Sequence, residues 1–269
     1  MSPARLNRVA VPPEPLPVPD EKVQAVRGAI LDWYRAGHRD LPWRRTRDPY
    51  AVLVSEIMLQ QTQVDRVIPK YHQFLSLYPT LEALAAAPRA EVIRSWAPLG
   101  YNLRAVRLHE IARQAVERYG GRLPDTLDGL LSLRGIGPYT AGAVACFAFG
   151  VPAAAMDTNV RRVLGRIFAA EVPAAGAGDD RLAWRLAETA LPPTAEDAYD
   201  WNQALMDLGA TVCVSRTPRC LLCPVQTRCA ARTTWQPLAP PEIIAAVAEE
   251  RGPYATCLLL HISEPTRRS

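Results

Sequence analysis

The sequence predicts an all-α protein. Its composition is Ala- and Leu-rich with only four Phe among 269 residues, apolar residues return at helical spacing along most of the chain, and the joints between are short and carry Pro or Gly. The first helix follows Asp20, a residue suited to capping, with Val23, Val26, Ile30 and Trp33 at helical spacing. Asp48-Pro49 is a second start signal, a capping carboxylate and then proline at the first helical position, and it opens a largely apolar helix expected over 50–63. Further helices are expected over 64–77, 80–87, 89–96, 102–119, 125–133, 138–149, 157–169, 179–190 and 195–210. Tyr78-Pro79, Ala87-Pro88, Gly120-Gly121 and Leu191-Pro192-Pro193 divide them.

The net charge of +4, from 31 Lys and Arg against 27 Asp and Glu, permits nucleic-acid binding without arguing for it. No apolar run reaches the roughly 18–20 residues needed to cross a bilayer. The proline-rich start has no signal-peptide core, so 1–19 is expected to be a disordered arm on a cytoplasmic protein. After Cys229 the texture changes. Residues 233–253 are Pro- and Ala-rich like a linker, and 254–262 read as a single β-strand.

Cys213, Cys220, Cys223 and Cys229 are spaced Cys-x6-Cys-x2-Cys-x5-Cys among Pro218, Pro224, Arg216, Arg219 and Arg228, a setting unlike a core. In a reducing compartment such a group reads as metal ligands rather than disulfides. Four thiolates suit tetrahedral zinc or a [4Fe–4S] cluster, and one tight pair flanked by single cysteines favours the larger group. Cys146 and Cys257 stand apart and read as small buried apolar residues.

Residues 127–143 combine an amphipathic turn of helix, the glycine-bracketed turn Gly135-Ile136-Gly137, and a helix opening at Pro138. Gly135 and Gly137 let the main chain approach a ligand, and free amides at the new helix start, at Thr140 among others, suit a phosphate. The same pattern is also compatible with an ordinary turn. Asp157 precedes another helix and reads by itself as an N-cap. Glu56 sits among Val52, Leu53, Val54, Ile57, Met58 and Leu59. It is either a solvated residue on an exposed stripe or an acid in an apolar pocket, kept protonated by desolvation.

Hairpin, Ala-rich helix, Asp157 and cysteine quartet in this order resemble the helix-hairpin-helix DNA glycosylases similar to endonuclease III. The segments Leu41-Pro42-Trp43-Arg44, Ser55 to Val64, Trp96 to Tyr101, Met156 to Leu164 and Trp201 to Ala210 are similar to the MutY-type adenine glycosylases, over about 20–232. This resemblance implies two helical subdomains with the DNA cleft between them. One is a six-helix barrel with helix-hairpin-helix over 41–151, the other an iron–sulfur cluster subdomain over 20–40 plus 152–232. It implies a [4Fe–4S] cluster on the four cysteines, and excision of adenine from A:8-oxoG or A:G mispairs in duplex DNA after base flipping. It implies a nucleoid-associated monomer without membrane contact.

By the same resemblance Glu56 is the acid acting on adenine N7, and Asp157 is the carboxylate near the sugar, helped by Tyr139 and Asn159. Gln61 and Tyr101 match wedge residues, with Gly135, Gly137 and Thr140 on the phosphate. Trp43, Arg44, Leu59, Val64 and Gln203 match the base pocket. Taken singly, Trp43, Leu59 and Val64 also fit core packing, Arg44 and Gln203 also fit a polar surface, and Tyr101 also fits a core aromatic. Arg161, Arg162 and Arg166 fit either phosphate contacts or a solvated face.

Bifunctional relatives carry Lys at position 139. The phenol of Tyr139 cannot form an imine, so hydrolysis by water is expected. Asn102, Pro98 and Arg134 depart from the family pattern without removing a catalytic group. Full-length members add a Nudix-like domain that reads 8-oxoguanine; 233–269 is expected to be a linker and a vestigial strand of it, which weakens lesion selectivity. A thymine or uracil mismatch glycosylase and a non-catalytic iron–sulfur DNA-binding protein are the rival readings.

Overall fold

The computed structural model describes residues 15–234, and every regular element among them is helical. The expected linker and strand after residue 234 and the first 14 residues lie outside the described residues. Leu16 packs on a core and Val18 is buried in it, so the expectation of a disordered arm over 1–19 does not hold for this stretch.

In chain order the helices are α1 (Asp20–Gly37), α2 (Pro49–Leu59), α3 (Val64–Leu77), α4 (Leu81–Ala86), α5 (Arg89–Trp96), α6 (Leu103–Tyr119), α7 (Leu127–Leu131), α8 (Pro138–Phe149), α9 (Thr158–Ile167), α10 (Pro173–Ala177), α11 (Asp180–Thr189), α12 (Ala195–Thr211) and α13 (Ala230–Thr234). Three short 3₁₀ turns, at Pro42–Arg44, Ala97–Leu99 and Cys220–Leu222, join them. Asp20 is the first helical residue rather than the cap; Pro19 takes the cap position, and the Asp20 and Glu21 carboxylates meet the positive end of the helix. The Asp48 carboxylate accepts from Tyr50 N–H and Ala51 N–H at 3.1 and 3.3 Å, a cap worth about 1 kcal/mol.

Two hydrophobic cores organise these helices. The first gathers α2 to α8 around Leu53, Met58, Phe74, Trp96 and Val144, with Leu41 and Trp43 at its edge. The second gathers α1 and α9 to α12 around Ile30, Leu164, Phe168, Trp201 and Leu208. α12 serves both, with Ala198 in the first core and Trp201 to Leu208 in the second. Every residue of α2 from Tyr50 to Met58 is buried, as in a helix enclosed on all sides.

α2 was expected to reach residue 63 and stops at Leu59. Gln61 takes a left-handed φ of 56°, which ends the helical bonding, and Arg104 of α6 captures the freed carbonyls of Ile57, Met58 and Gln60.

Candidate active site

A cleft of about 1170 Å³ runs between elements of the two cores, lined on one side by Glu56, Gln61, Tyr101 and Tyr139 and on the other by Asp157, Asn159 and Gln203. Glu56 enters it from the middle of α2 and is 3% exposed, so the reading of a solvated stripe is wrong: the apolar neighbours in sequence are its actual surroundings. The Tyr139 hydroxyl, on the first turn of α8, donates to Glu56 Oε2 at 2.5 Å. Burial pushes the Glu56 carboxyl up to about 7; the Tyr139 hydrogen bond and the Arg44 charge oppose that shift, and the Asp157 charge adds to it. Burial, then the nearby Glu56 and Asp157 charges, raises the Tyr139 phenol well above 10, so it stays a donor. A protonated Glu56 whose Oε2 accepts from tyrosine carries its proton on Oε1.

Asp157 sits at the N-cap of α9. Its Oδ1 accepts from Val160 N–H at 2.7 Å and its Oδ2 from Asn159 Nδ2 at 2.8 Å, at the end of a helix whose dipole favours negative charge. The N-cap read from the sequence is thus present, and the same carboxylate lines the cleft. Asn159 is held in turn: its Oδ1 accepts from Arg162 Nη2 at 2.8 Å. Gly209 lets α12 come this close, since a Cβ there would lie 2.7 Å from the Asn159 Cβ.

Arg44 and Gln203 do not lie on a polar surface. The Arg44 side chain is 6% exposed and forms an ion pair with Asp207 at 2.7 Å, which Arg39 joins at 2.6 Å. Arg44 Nε donates to Gln203 Oε1 at 2.8 Å, which leaves the Gln203 amide nitrogen as the free end at the cleft. Trp43 is buried edge-on to Tyr71, and Leu59 and Val64 are partly buried on the first core, so all three pack while also lining the cleft.

Gln61 and Tyr101 occupy two neighbouring loops at the cleft, each at left-handed φ (56° and 49°). Tyr101 is 65% exposed, so it is no core aromatic. Left-handed backbone in non-glycine residues is uncommon and concentrates at functional sites. In the hairpin, Gly135 has φ 107° and Gly137 caps α8. The first bond inside α8 runs from Ala141 N–H to Gly137 O at 2.9 Å, so the Tyr139 and Thr140 amides precede the helical ladder. The Thr140 side chain is buried, and its main-chain amide is what it offers a ligand. Gln114 of α6 braces the turn, accepting from Arg134 N–H at 2.8 Å and donating to Arg134 O at 3.1 Å.

The four cysteines are free thiols with half-buried side chains; Cys213, Cys223 and Cys229 pack against the second core. Burial pushes the Cys223 thiol up to about 11, and the charges of Cys213, Cys229 and Cys220 add to the shift. Among the described residues, no three His, Cys, Asp or Glu side chains form a group that could hold a single metal ion. Arg166 Nη1 donates to Cys213 Sγ at 3.4 Å and to Val214 O at 2.8 Å, while Arg162 Nε donates to Cys213 O at 2.9 Å. Both arginines are thus spent on the cysteine loop rather than offered to phosphates, and Arg161 pairs with Asp180 at 2.5 Å. Arg216, Arg219 and Arg228 are exposed around that loop.

Asp207 and Arg104 escaped the sequence reading. The signal for Arg104 is its register: it shares the apolar stripe of Leu108, Ile111 and Ala115 on α6, where a charge must find partners. No helix among the described residues is long and apolar enough to cross a membrane.

Residues 54–177 match the family described as HhH-GPD superfamily base excision DNA repair protein. The chain is 48% identical over 199 residues to the adenine DNA glycosylase of Mycolicibacterium smegmatis, covering 73% of this chain and 66% of that protein. It is 46% identical over 220 residues to the human adenine DNA glycosylase, covering 78% of this chain and 40% of that protein. Among solved structures, a thermostable thymine-DNA glycosylase aligns with TM-score 0.72 and 35% identity over 80% of this chain and 98% of its own. The chain therefore spans less than two thirds of these adenine glycosylases and nearly all of the thymine glycosylase.

Proposed function

From a chain that belongs to the HhH-GPD superfamily of base excision DNA repair proteins, we infer a monofunctional DNA glycosylase that removes adenine mispaired with 8-oxoguanine or guanine. One observation carries the reading: a carboxyl whose burial raises its pKa to about 7, Glu56, shares a cleft with a hydrogen-bonded carboxylate at a helix N-terminus, Asp157. Cutting an N-glycosidic bond needs this division of labour, an acid for the leaving base and a charge for the sugar.

The adenine must leave the stack for its N7 and sugar to be reached together. Tyr101 and Gln61 supply side chains that can replace it, with phosphates held at the Gly135–Thr140 turn. In the pocket, the Glu56 proton passes to adenine N7. The C1′–N9 bond then breaks with its electron pair leaving on adenine. Asp157 stabilises the positive charge that develops at C1′, and water adds there and gives a proton to the Glu56 carboxylate, which leaves free adenine, an abasic site and Glu56 in its starting form. Tyr139 fixes the Glu56 carboxyl, Asn159 fixes Asp157, and Arg44 orients the Gln203 amide toward the base edge. No amine replaces water at C1′, because position 139 is a phenol.

Cys213, Cys220, Cys223 and Cys229 would hold a [4Fe–4S] cluster; four half-buried free cysteines, a sulfur-directed arginine and one tight pair in sequence suit it. When bound, the cluster cross-links the loop that carries Arg216, Arg219 and Arg228 and presents that basic surface to DNA phosphates.

The test is a single-turnover assay on A:8-oxoG, A:G, T:G and U:G duplexes, with and without alkali. Adenine release with strand scission only after alkali is expected. Near-complete coverage of the thymine glycosylase favours a second reading, thymine or uracil removal, and release from T:G or U:G alone would select it.

A further inference from the structure

The two loops that carry Gln61 and Tyr101 are tied to each other by a single side chain. The Arg104 guanidinium is buried at the start of α6 and donates to six oxygens. On the Gln61 side it reaches Ile57 O (3.3 Å), Met58 O (2.8 Å), Gln60 O and Thr62 Oγ1 (2.9 Å). On the Tyr101 side it reaches Leu99 O (3.4 Å) and Gly100 O (3.1 Å), and it lies 5.5 Å from the centre of the Tyr101 ring. These acceptors flank Gln61 on both sides and immediately precede Tyr101, the two non-glycine residues of left-handed φ among the described residues. Its Nε is buried with no hydrogen-bond partner, so the side chain is placed for its terminal fork at the expense of that donor.

We propose that Arg104 is a positioning residue that holds the Gln61 and Tyr101 loops at a fixed separation, so that both side chains enter the duplex as one rigid wedge. Left-handed backbone at Gln61 and Tyr101 persists only where the surroundings over-determine it. A planar fork with donors in fixed directions does that for two loops at once; a lysine, with one nitrogen, cannot reach all six oxygens. Arg104 contacts no reacting atom and acts only through the two loops. This inference rests on the glycosylase reading.

The experiment uses the full chain and duplexes with 2-aminopurine in place of the target adenine opposite 8-oxoguanine, whose fluorescence rises on unstacking, alongside single-turnover adenine excision. Arg104→Lys is expected to keep the helical circular dichroism, lose most of the fluorescence rise, and excise adenine about tenfold more slowly. In a background already carrying Gln61→Ala and Tyr101→Ala, the same substitution is expected to cost less than about twofold, since residues acting as a unit are not additive. Thr62→Val removes one acceptor without removing the guanidinium and keeps the test alive should Arg104→Lys unfold. It is expected to slow excision about two- to threefold, with the same loss of effect in the double background. A folded Arg104→Lys protein with undiminished unstacking and excision overturns the proposal, as does an equal cost in both backgrounds. An unsubstituted protein that neither unstacks nor excises overturns the glycosylase reading and this inference with it.

Discussion

Glu56 and Asp157 reach the same cleft from walls built in opposite ways. Glu56 projects from the middle of a helix buried on every face, with one hydrogen bond from a phenol, and burial raises its pKa to about 7. Asp157 stands at the N-cap of α9, where its carboxylate accepts from a main-chain amide and a carboxamide. Two carboxyl groups thus meet unlike surroundings from position alone: mid-helix in a core for Glu56, the N-cap of a helix for Asp157. The difference teaches that secondary-structure position sets the surroundings of each carboxyl in this cleft before any substrate arrives.

Substitutions that erase the difference should have the largest effects. Glu56→Gln, which keeps the shape and removes the transferable proton, is expected to lower single-turnover adenine release by about 10²–10⁴-fold while gel-shift affinity for the duplex holds. Asp157→Asn should cost about 10²–10³-fold in the same assay. Because Asn caps helices as well as Asp, its thermal unfolding should move by less than about 1 kcal/mol, separating charge from capping. Tyr139→Phe removes the hydrogen bond that fixes the Glu56 carboxyl, so a rate loss of about tenfold is expected; because that bond also holds the Glu56 pKa down, the alkaline limb of the pH profile is displaced upward.

A separate effect is on stability. Folding raises the Glu56 pKa from its ordinary 4.5 to about 7, so the folded state binds more protons in that interval and stability falls as pH rises through it. Glu56→Gln should therefore gain on the unsubstituted protein between pH 4.5 and 7, by on the order of 3 kcal/mol at most. Equal melting temperatures at both ends would show that the acid is not buried in solution.

The helices and the cap at Asp157 were legible because local signals mark them, whereas the roles expected of Glu56 and Asp157 came from the resemblance. Asp48-Pro49, Thr126 and Thr194 cap what they precede, and the spacing of Val160, Val163, Leu164 and Ile167 gives α9 its buried face. What remained hidden is long-range and polar. Arg44 meets Asp207 across 163 positions and Arg104 meets Met58 across 46, and no periodicity records such pairs. Taken singly, Arg44 and Gln203 therefore also fit a polar surface, although the two are hydrogen-bonded to each other in the interior. The early end of α2 had the same origin, since its carbonyls are claimed by an arginine in another helix. The two states of Glu56, solvated or buried, could not be separated from sequence because an enclosed helix and a half-exposed one both begin with the same apolar run.

The most direct test of the account is the pH dependence of single-turnover adenine release at saturating enzyme between pH 5 and 9. Glu56 acting as the acid predicts a rate that falls as pH rises through about 7 and a limb that moves upward in Tyr139→Phe. A rate that holds or climbs through pH 8, with Glu56→Gln still releasing adenine, would contradict it.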